Sequence, residues 1–287
     1  MPDMPKRSGF VNQIEEMRKQ AQSQQDLLRD VTDACWHLPD EDMPPIGHIN
    51  IIGSDSVGHF KGAMTSFFAE FATRFKLTPA SRILDIGSGC GRLAIPFSLF
   101  LNDDGRYYGV DVWKDGIDWC AGTLSPANPS LSFHHMEAAN NYYADAYDPS
   151  VQNDYTLGFI PEKGLDFAFA ISVFTHLTPK DSQDYLTELG RTLDDDGAAY
   201  LTCFIIDDFF FKHVETTGMH RAVKQVEDGF YQAYEGQDFF GGYTRRKWEA
   251  MLAEAGLRTI SHEVGSWASK PGARVYQDMF IVMRTKG

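Results

Sequence analysis

The sequence is short of cysteine, of basic charge and of long apolar runs. Four cysteines occur in 287 residues, at Cys35, Cys90, Cys120 and Cys203. None forms a CxxC pair or falls at metal-ligand spacing, so neither a disulfide scaffold nor a metal site is expected, and the usage suits a reducing compartment. Lys and Arg number 26 against 40 Asp and Glu, a net charge of −14 at pH 7. Such a surface repels a polyanion, so nucleic acid is not an expected partner. The short basic run Arg245-Arg246-Lys247 reads as the solvated face of a helix. The uninterrupted apolar run at 167–171, which no other exceeds, is far below the roughly 20 residues a membrane helix needs. The opening MPDMPKRSGF has no apolar signal core. The expectation is a soluble, cytoplasmic protein without a membrane partner.

What is present is enough to build a core. Hydrophobic residues make up 43% of the chain, too many for a disordered protein. At roughly 150 residues per domain the length allows about two units or one large α/β domain. Val11, Ile14, Arg18, Ala21, Leu28, Val31 and Cys35 recur at helical spacing and predict an amphipathic helix over 11–35. The Pro- and Gly-rich stretch 37–58 reads as an ordered loop, and a second helix is expected over 60–75. From Arg82 short apolar strands alternate with helices. Strands are expected at 82–86, 106–112, 131–136, 165–173, 198–205, 257–264 and 276–283, with helices at 90–101, 114–124, 180–193 and 244–255. That alternation predicts a mostly parallel, helix-covered sheet. Residues 138–163 and 206–243 break the rhythm and read as long binding loops or lids.

The most informative segment is ILDIGSGCGRLA at 83–94. An apolar strand ends in an acid, and Gly87, Gly89 and Gly91 follow at two-residue spacing before a helix. Glycines there allow a sharp turn and a close approach of backbone to a ligand. Asp111 closes the next strand, where an acid can accept the two hydroxyls of a ribose. A dinucleotide loop rests a pyrophosphate on the helix N-terminus. Asp85 before the first glycine would repel that group and suits a cationic ligand. S-adenosyl-L-methionine carries a ribose, an ammonium and a sulfonium and no phosphate, so the charges favour it over NAD.

On these residues, with FAFAISVFTHL after the fourth expected strand and YLTELGRTLDDDGAAYLTCF leading into the fifth, the chain resembles the class I S-adenosylmethionine-dependent methyltransferases over roughly residues 80–285. SVFTHL, Gly265-Ser266-Trp267 and Gln277-Asp278 resemble a sub-group acting mostly on small molecules or glycans. The resemblance implies an α/β fold with a Rossmann-like, seven-stranded, mostly parallel sheet and helices on both faces. A helical cap is expected over 1–78 and a catalytic domain over 79–287. It also implies that Gly87, Ser88, Gly89 and Gly91 line the methionine and ribose of the cofactor, and that Asp85 orients the amino end. Asp111 would hold the ribose, Val112 and Trp113 would pack near adenine, and Glu137 would meet the adenine amino group. Ser172 and Val173 would pass under the methionine.

Methyl transfer from a sulfonium needs alignment and a dry cavity, and a hydroxyl acceptor also needs a base. His176, just beyond the fourth strand, is the leading candidate, with Asp208 and its neighbour Asp207 after the fifth strand as weaker ones. His59 is a candidate for the cofactor's exposed side, while His134 and His135 alternate across a strand. Trp267, Tyr142, Tyr143, Phe209 and Phe210 are candidates for an acceptor wall. No Asn/Asp-Pro-Pro-aromatic motif follows the fourth strand, where Ser172-Val173-Phe174-Thr175 stand instead, which argues against amino-methylation of DNA. The expected activity is O-methylation of a small molecule. S- or N-methylation, an NAD(P)-dependent oxidoreductase and a non-catalytic binding module remain alternatives, and a homodimer is possible.

Overall fold

The computed structural model describes residues 23–126, 128–138, 153–235 and 238–286. The chain divides into two compact units, residues 1–135 and 136–287. Their strands make a seven-stranded, mostly parallel sheet, and three further strands form a second, smaller sheet.

In the first unit, α1 (Gln24–His37) begins at Ser23, whose hydroxyl accepts the Asp26 N–H, satisfying one of the orphan donors of the first turn. It buries Leu27, Val31 and Cys35, one stripe at i, i+4, i+8. The part of the expected helix before Ser23 lies outside the described residues. The stretch read as a loop holds a 3-10 turn at Asp40–Asp42 and a short helix, α2 (Ile46–Ile51). Pro45 supplies the fixed φ that starts α2, and buried Ile49 anchors it. α3 (Val57–Arg74) is capped by Ser56 and buries Phe60, Met64, Phe68 and Phe71. Phe68 meets Phe97 and Phe100 at 5.4 and 5.5 Å. Both belong to α4 (Ala94–Phe100). Buried Lys61 ties α3 to the preceding turn, donating to the Leu38 carbonyl at 2.6 Å and to Asp40 at 2.9 Å.

β1 (Arg82–Ile86), β2 (Arg106–Asp111) and β3 (Leu131–His135) pair in parallel in the order β3-β2-β1, with α5 (Lys114–Thr123) between the last two. α4 starts four residues later than the apolar pattern predicts. The glycine loop consumes that turn, because residues with positive φ cannot continue into a right-handed helix.

In the second unit the order is β4 (Leu165–Ala170), β5 (Leu193–Cys203), β10 (Asp278–Arg284), β9 (Leu257–Glu263). β4 and β5 are parallel, and β10 runs antiparallel to both its neighbours. α6 (Pro179–Thr192) starts at Thr178, whose hydroxyl accepts the Asp181 N–H. α8 (Arg245–Glu254) starts likewise at Thr244. A Cβ on Gly190 of α6 would stand 1.9 Å from the Ala255 carbonyl oxygen, so only glycine permits this approach.

The segment 206–243 is not the loop its composition suggests. It folds as α7 (Asp208–Thr217) and an antiparallel sheet of β6 (Lys224–Glu227), β7 (Phe230–Glu235) and β8 (Asp238–Tyr243). Backbone bonds from Ile206 N–H to the Tyr243 carbonyl (2.8 Å) and from Tyr243 N–H to the Phe204 carbonyl (2.9 Å) fasten this sheet to the chain leaving β5. Its strands carry adjacent aromatics, Phe230-Tyr231 and Phe239-Phe240, with Gly241 and Gly242 inside β8, so no period of two shows in the sequence. Most of the other irregular segment, 139–152, lies outside the described residues. All four cysteines are free and buried. Among the described residues no helix is long and apolar enough to cross a membrane, and no group of His, Cys, Asp and Glu is arranged to hold a metal.

Candidate functional site

The glycine loop is built by the end of β2. Gly87 and Ser88 both donate their N–H groups to the Val110 carbonyl, at 2.8 and 3.1 Å. Gly87, Gly89 and Gly91 take φ of 81°, 54° and 79°, a left-handed alternation that side-chain-bearing residues rarely afford. Asp111 holds the loop from the other side. Its carboxylate accepts Gly89 N–H at 2.7 Å through one oxygen and Trp113 N–H at 2.8 Å through the other. Burial raises its pKa, and these backbone bonds oppose the rise.

Asp85 is buried at the end of β1 and accepts a hydrogen bond from the Tyr107 hydroxyl. Burial pushes its carboxyl up to about 7, with the Asp111 charge adding to the rise and the Tyr107 bond and the Arg92 charge opposing it. Ser88 Oγ is buried with no hydrogen-bond partner. Two under-partnered acids, an orphan hydroxyl and a glycine-lined turn fit S-adenosylmethionine: a diol to accept, a positive charge to favour, no phosphate. Val112 and Trp113 follow directly. The Val112 carbonyl lies 3.1 Å from His135 Nε2, and Trp113 is almost wholly buried. His134 instead sits 3.2 Å from the Ser132 hydroxyl, which separates the two histidines as strand alternation requires.

The N-terminal helices bring a different histidine to this loop than the one singled out. His59 is half-exposed, and its ring lies 3.2 Å from Asp55. His48 of α2 meets the Trp113 ring edge-on at 4.8 Å. The Ile52 side chain stands 2.7 Å from where a Cβ on Gly89 would be. Sequence reasoning missed His48 because IGHINIIG between two prolines and a Gly-Ser pair resembles a loop; its apolar flanks were the available signal.

In the second unit Ser172, just past β4, has φ of 60°. This is a left-handed conformation that non-glycine residues adopt at a cost, and it clusters at functional positions. The strain is held in place. Ser172 N–H donates to Thr202 Oγ1 at 2.8 Å, the Thr202 hydroxyl donates to Gln277 Oε1 at 2.6 Å, and the Thr175 hydroxyl donates to the Ser172 carbonyl at 3.1 Å. His176 ends the 3-10 turn Phe174–His176, and its Nδ1 lies 3.1 Å from the Phe239 carbonyl oxygen. A carbonyl only accepts, so Nδ1 carries a proton, and in the neutral form of the ring the lone pair is on Nε2.

Asp208 is exposed in the first turn of α7. The more enclosed acid is Asp207, which caps that helix through Phe210 N–H and pairs with the Lys270 ammonium at 3.0 Å. Glu137 is exposed, and its carbonyl takes the Asp154 N–H at 3.0 Å.

Gln277-Asp278 and Gly265-Ser266-Trp267 meet at one carboxylate. Asp278 accepts from Trp267 Nε1 (2.7 Å), Ile205 N–H (3.1 Å), His262 Nε2 (3.2 Å), Gly265 N–H (3.3 Å) and Lys270 Nζ (3.3 Å). Lys270, absent from the sequence reading, is buried and also donates to the Ile205 carbonyl at 3.0 Å. Trp267 so fixed packs on Phe204 at 4.5 Å and on Phe210 at 5.5 Å, and Phe204 stacks on Phe240 at 4.9 Å. Phe209 is exposed, and Tyr142 and Tyr143 lie outside the described residues.

The sheet, the alternating glycines and the acid closing β2 define a class I S-adenosylmethionine-dependent methyltransferase. Residues 84–201 match the family model described as a methyltransferase domain. The enzyme is therefore an S-adenosylmethionine-dependent methyltransferase, with S-adenosyl-L-methionine as its cofactor. Among solved structures the chain is similar to the PH0226 protein of Pyrococcus horikoshii, with 14% identity, a TM-score of 0.52, and coverage of 84% of this chain and 96% of that one. It is also similar to the 1,6-didemethyltoxoflavin-N1-methyltransferase of Burkholderia thailandensis, crystallised with 1,6-didemethyltoxoflavin and S-adenosylhomocysteine. There the identity is 16%, the TM-score 0.48, and coverage 85% and 91%. A third is the magnesium protoporphyrin IX methyltransferase of Synechocystis, at 14% identity, TM-score 0.49, and coverage of 82% and 91%.

Proposed function

We propose that this enzyme methylates a hydroxyl group of a small molecule, with His176 taking the hydroxyl proton. The observation that carries the reading is the 3.1 Å contact of His176 Nδ1 with the Phe239 carbonyl, an acceptor, which assigns the proton of a neutral ring to Nδ1. His176 follows the carboxyl end of β4, as the glycine loop follows that of β1. In open α/β sheets ligands bind outside those strand ends.

When bound, the cofactor supplies an electrophilic methyl group on a sulfonium. Asp111 would hold its ribose hydroxyls and Asp85 its ammonium, with Gly87, Ser88, Gly89 and Gly91 beside the methionine and ribose, and Val112, Trp113 and Glu137 toward the adenine. Ser172, kept in its strained conformation by Thr202, would border the methionine. His176 Nε2 would take the proton of the acceptor hydroxyl as its oxygen receives that methyl group. Phe204, Phe240 and Trp267 offer an apolar wall suited to a small acceptor. The acidic net charge of −14 argues for an acceptor that is not a polyanion. Helices α1, α2 and α3 would cap the cofactor end.

The test is His176→Gln, assayed with labelled methyl donor against a panel of phenols, alcohols, amines and thioethers. A loss of about 100-fold or more in kcat with unchanged S-adenosylhomocysteine affinity is expected. A near-neutral effect on the best substrate would sink the base assignment and favour an acceptor with no proton to lose.

A further inference from the structure

We infer that His48 is a cofactor-binding residue, contributed by the N-terminal segment to the nucleoside end of the methyl-donor site. The inference rests on the reading that the glycine loop and Asp111 hold that cofactor. Three observations in the first unit converge on it.

The segment carrying His48 lies against the loop itself. A Cβ on Gly89 would stand 2.7 Å from Ile52 Cγ2, so the glycine at this position makes room for the N-terminal segment as well as for a ligand. Ile49, wholly buried, roots α2 in the core, and the Pro45 carbonyl receives both His48 N–H (2.8 Å) and Ile49 N–H (3.1 Å). The position of His48 is therefore built and does not depend on a flexible tail.

The imidazole meets the residue expected beside adenine. Its ring stands edge-on to Trp113, with centroids 4.8 Å apart at 70°. The Trp113 N–H is fixed by the same carboxylate that fixes Gly89. His48 and Ile52 thus abut the two residues that Asp111 ties together.

His48 Nδ1 is also buried and makes no hydrogen bond. A buried polar atom left unpaired is costly, and such orphans call for a missing partner. Ser88 Oγ, next to Gly89, is the second buried orphan of this unit's loop. A nucleoside presents both kinds of group, hydroxyls that donate or accept and ring nitrogens that accept, and would satisfy either tautomer of the imidazole.

The test measures binding rather than turnover. S-adenosylhomocysteine and 5′-methylthioadenosine, which lacks the amino-acid end, are titrated calorimetrically into wild type, His48→Phe and His48→Asn. Phe keeps the ring against Trp113 and removes the nitrogens; Asn keeps a polar group near the Nδ1 position. Both ligands are expected to bind His48→Phe about tenfold more weakly, and His48→Asn is expected within about threefold of wild type. Thermal unfolding of the ligand-free variants reports folding, and if His48→Phe does not fold, His48→Asn against His48→Ala makes the same comparison. Affinities for His48→Phe within twofold of wild type would overturn the inference, as would His48→Asn binding as poorly as His48→Phe. Wild type failing to bind either ligand would instead overturn the cofactor site on which the inference rests.

Discussion

Asp278 in the second unit and the Asp85–Asp111 pair in the first are all buried carboxylates, and their surroundings treat them in opposite ways. Burial works against the charge on Asp278, but hydrogen bonds from His262 and Trp267, the Lys270 charge and the Ile205 N–H outweigh it and hold the acid below the usual carboxylate range. Around Asp85 and Asp111 burial wins, and both acids lie above that range. Beside them two polar atoms, Ser88 Oγ and His48 Nδ1, lack partners. A carboxylate saturated with donors is an anchor; a pair left short of them is prepared for a ligand. On the proposed reading Asp278 is the structural anchor and the Asp85–Asp111 pair the ligand site.

The largest consequence falls on the anchor. Asp278→Asn preserves shape but removes the charge opposite Lys270, whose side chain is only 1% exposed. Asp207, at 36% exposure, is a weaker counter-ion. Breaking a buried pair on one side costs about 3–5 kcal/mol, to be read as a shift in urea unfolding. The sign with pH follows from a depressed folded-state pKa: this contribution is complete above the ordinary carboxylate range and is lost as pH falls through the folded value. A loss below about 1 kcal/mol would mean that the network is incidental.

Asp111→Asn probes the other side of the contrast. The amide would turn a donor toward either Gly89 N–H or Trp113 N–H and would remove a charged acceptor from the proposed ribose contact. Hydrogen bonds to charged groups contribute about 1.5–3 kcal/mol, so S-adenosylhomocysteine binding should weaken about 10- to 100-fold. The unfolding midpoint should move less than in Asp278→Asn. A variant that loses stability and keeps affinity would reverse the roles assigned to the two centres.

The parts of this chain legible in its sequence are those where local chemistry and tertiary structure agree. The strands of the main sheet were legible because buried strands read as short apolar runs, except that β5 begins at Leu193, within the stretch expected to be helix, and not at 198. The glycines and Asp111 were legible because loop geometry restricts the residue type. Lys270 and Tyr107 were not, because their roles depend on partners 8 and 22 residues away, Asp278 and Asp85. The segment 206–243 misled for a related reason. Its strands are short, aromatic and interrupted by Gly229, Gly241 and Gly242, and their pairing with the chain after β5 is a tertiary fact. Asp207 and Asp208 show the finest limit: one residue of helical phase separates an acid paired to a buried lysine from an exposed one.

The smallest expected effect concerns Asp85, and it tests whether the under-partnered pair responds to a ligand's charge. Because burial raises its folded-state pKa to about 7, the stability attached to the protonated form is complete below the ordinary carboxylate range and fades as pH rises through about 7. A cationic ammonium placed beside Asp85 favours the ionised form, so binding should release a proton and tighten over the same interval. S-adenosylhomocysteine affinity should therefore rise about three- to tenfold between about pH 6 and about pH 8 while ligand-free stability declines. Asp85→Asn has no proton to lose and should flatten both trends, with Tyr107 still able to donate to the amide oxygen. Calorimetry in two buffers of different ionisation enthalpy reads the released proton directly. Parallel slopes in wild type and Asp85→Asn would assign the titration to another group and remove Asp85 from the ligand's amino end.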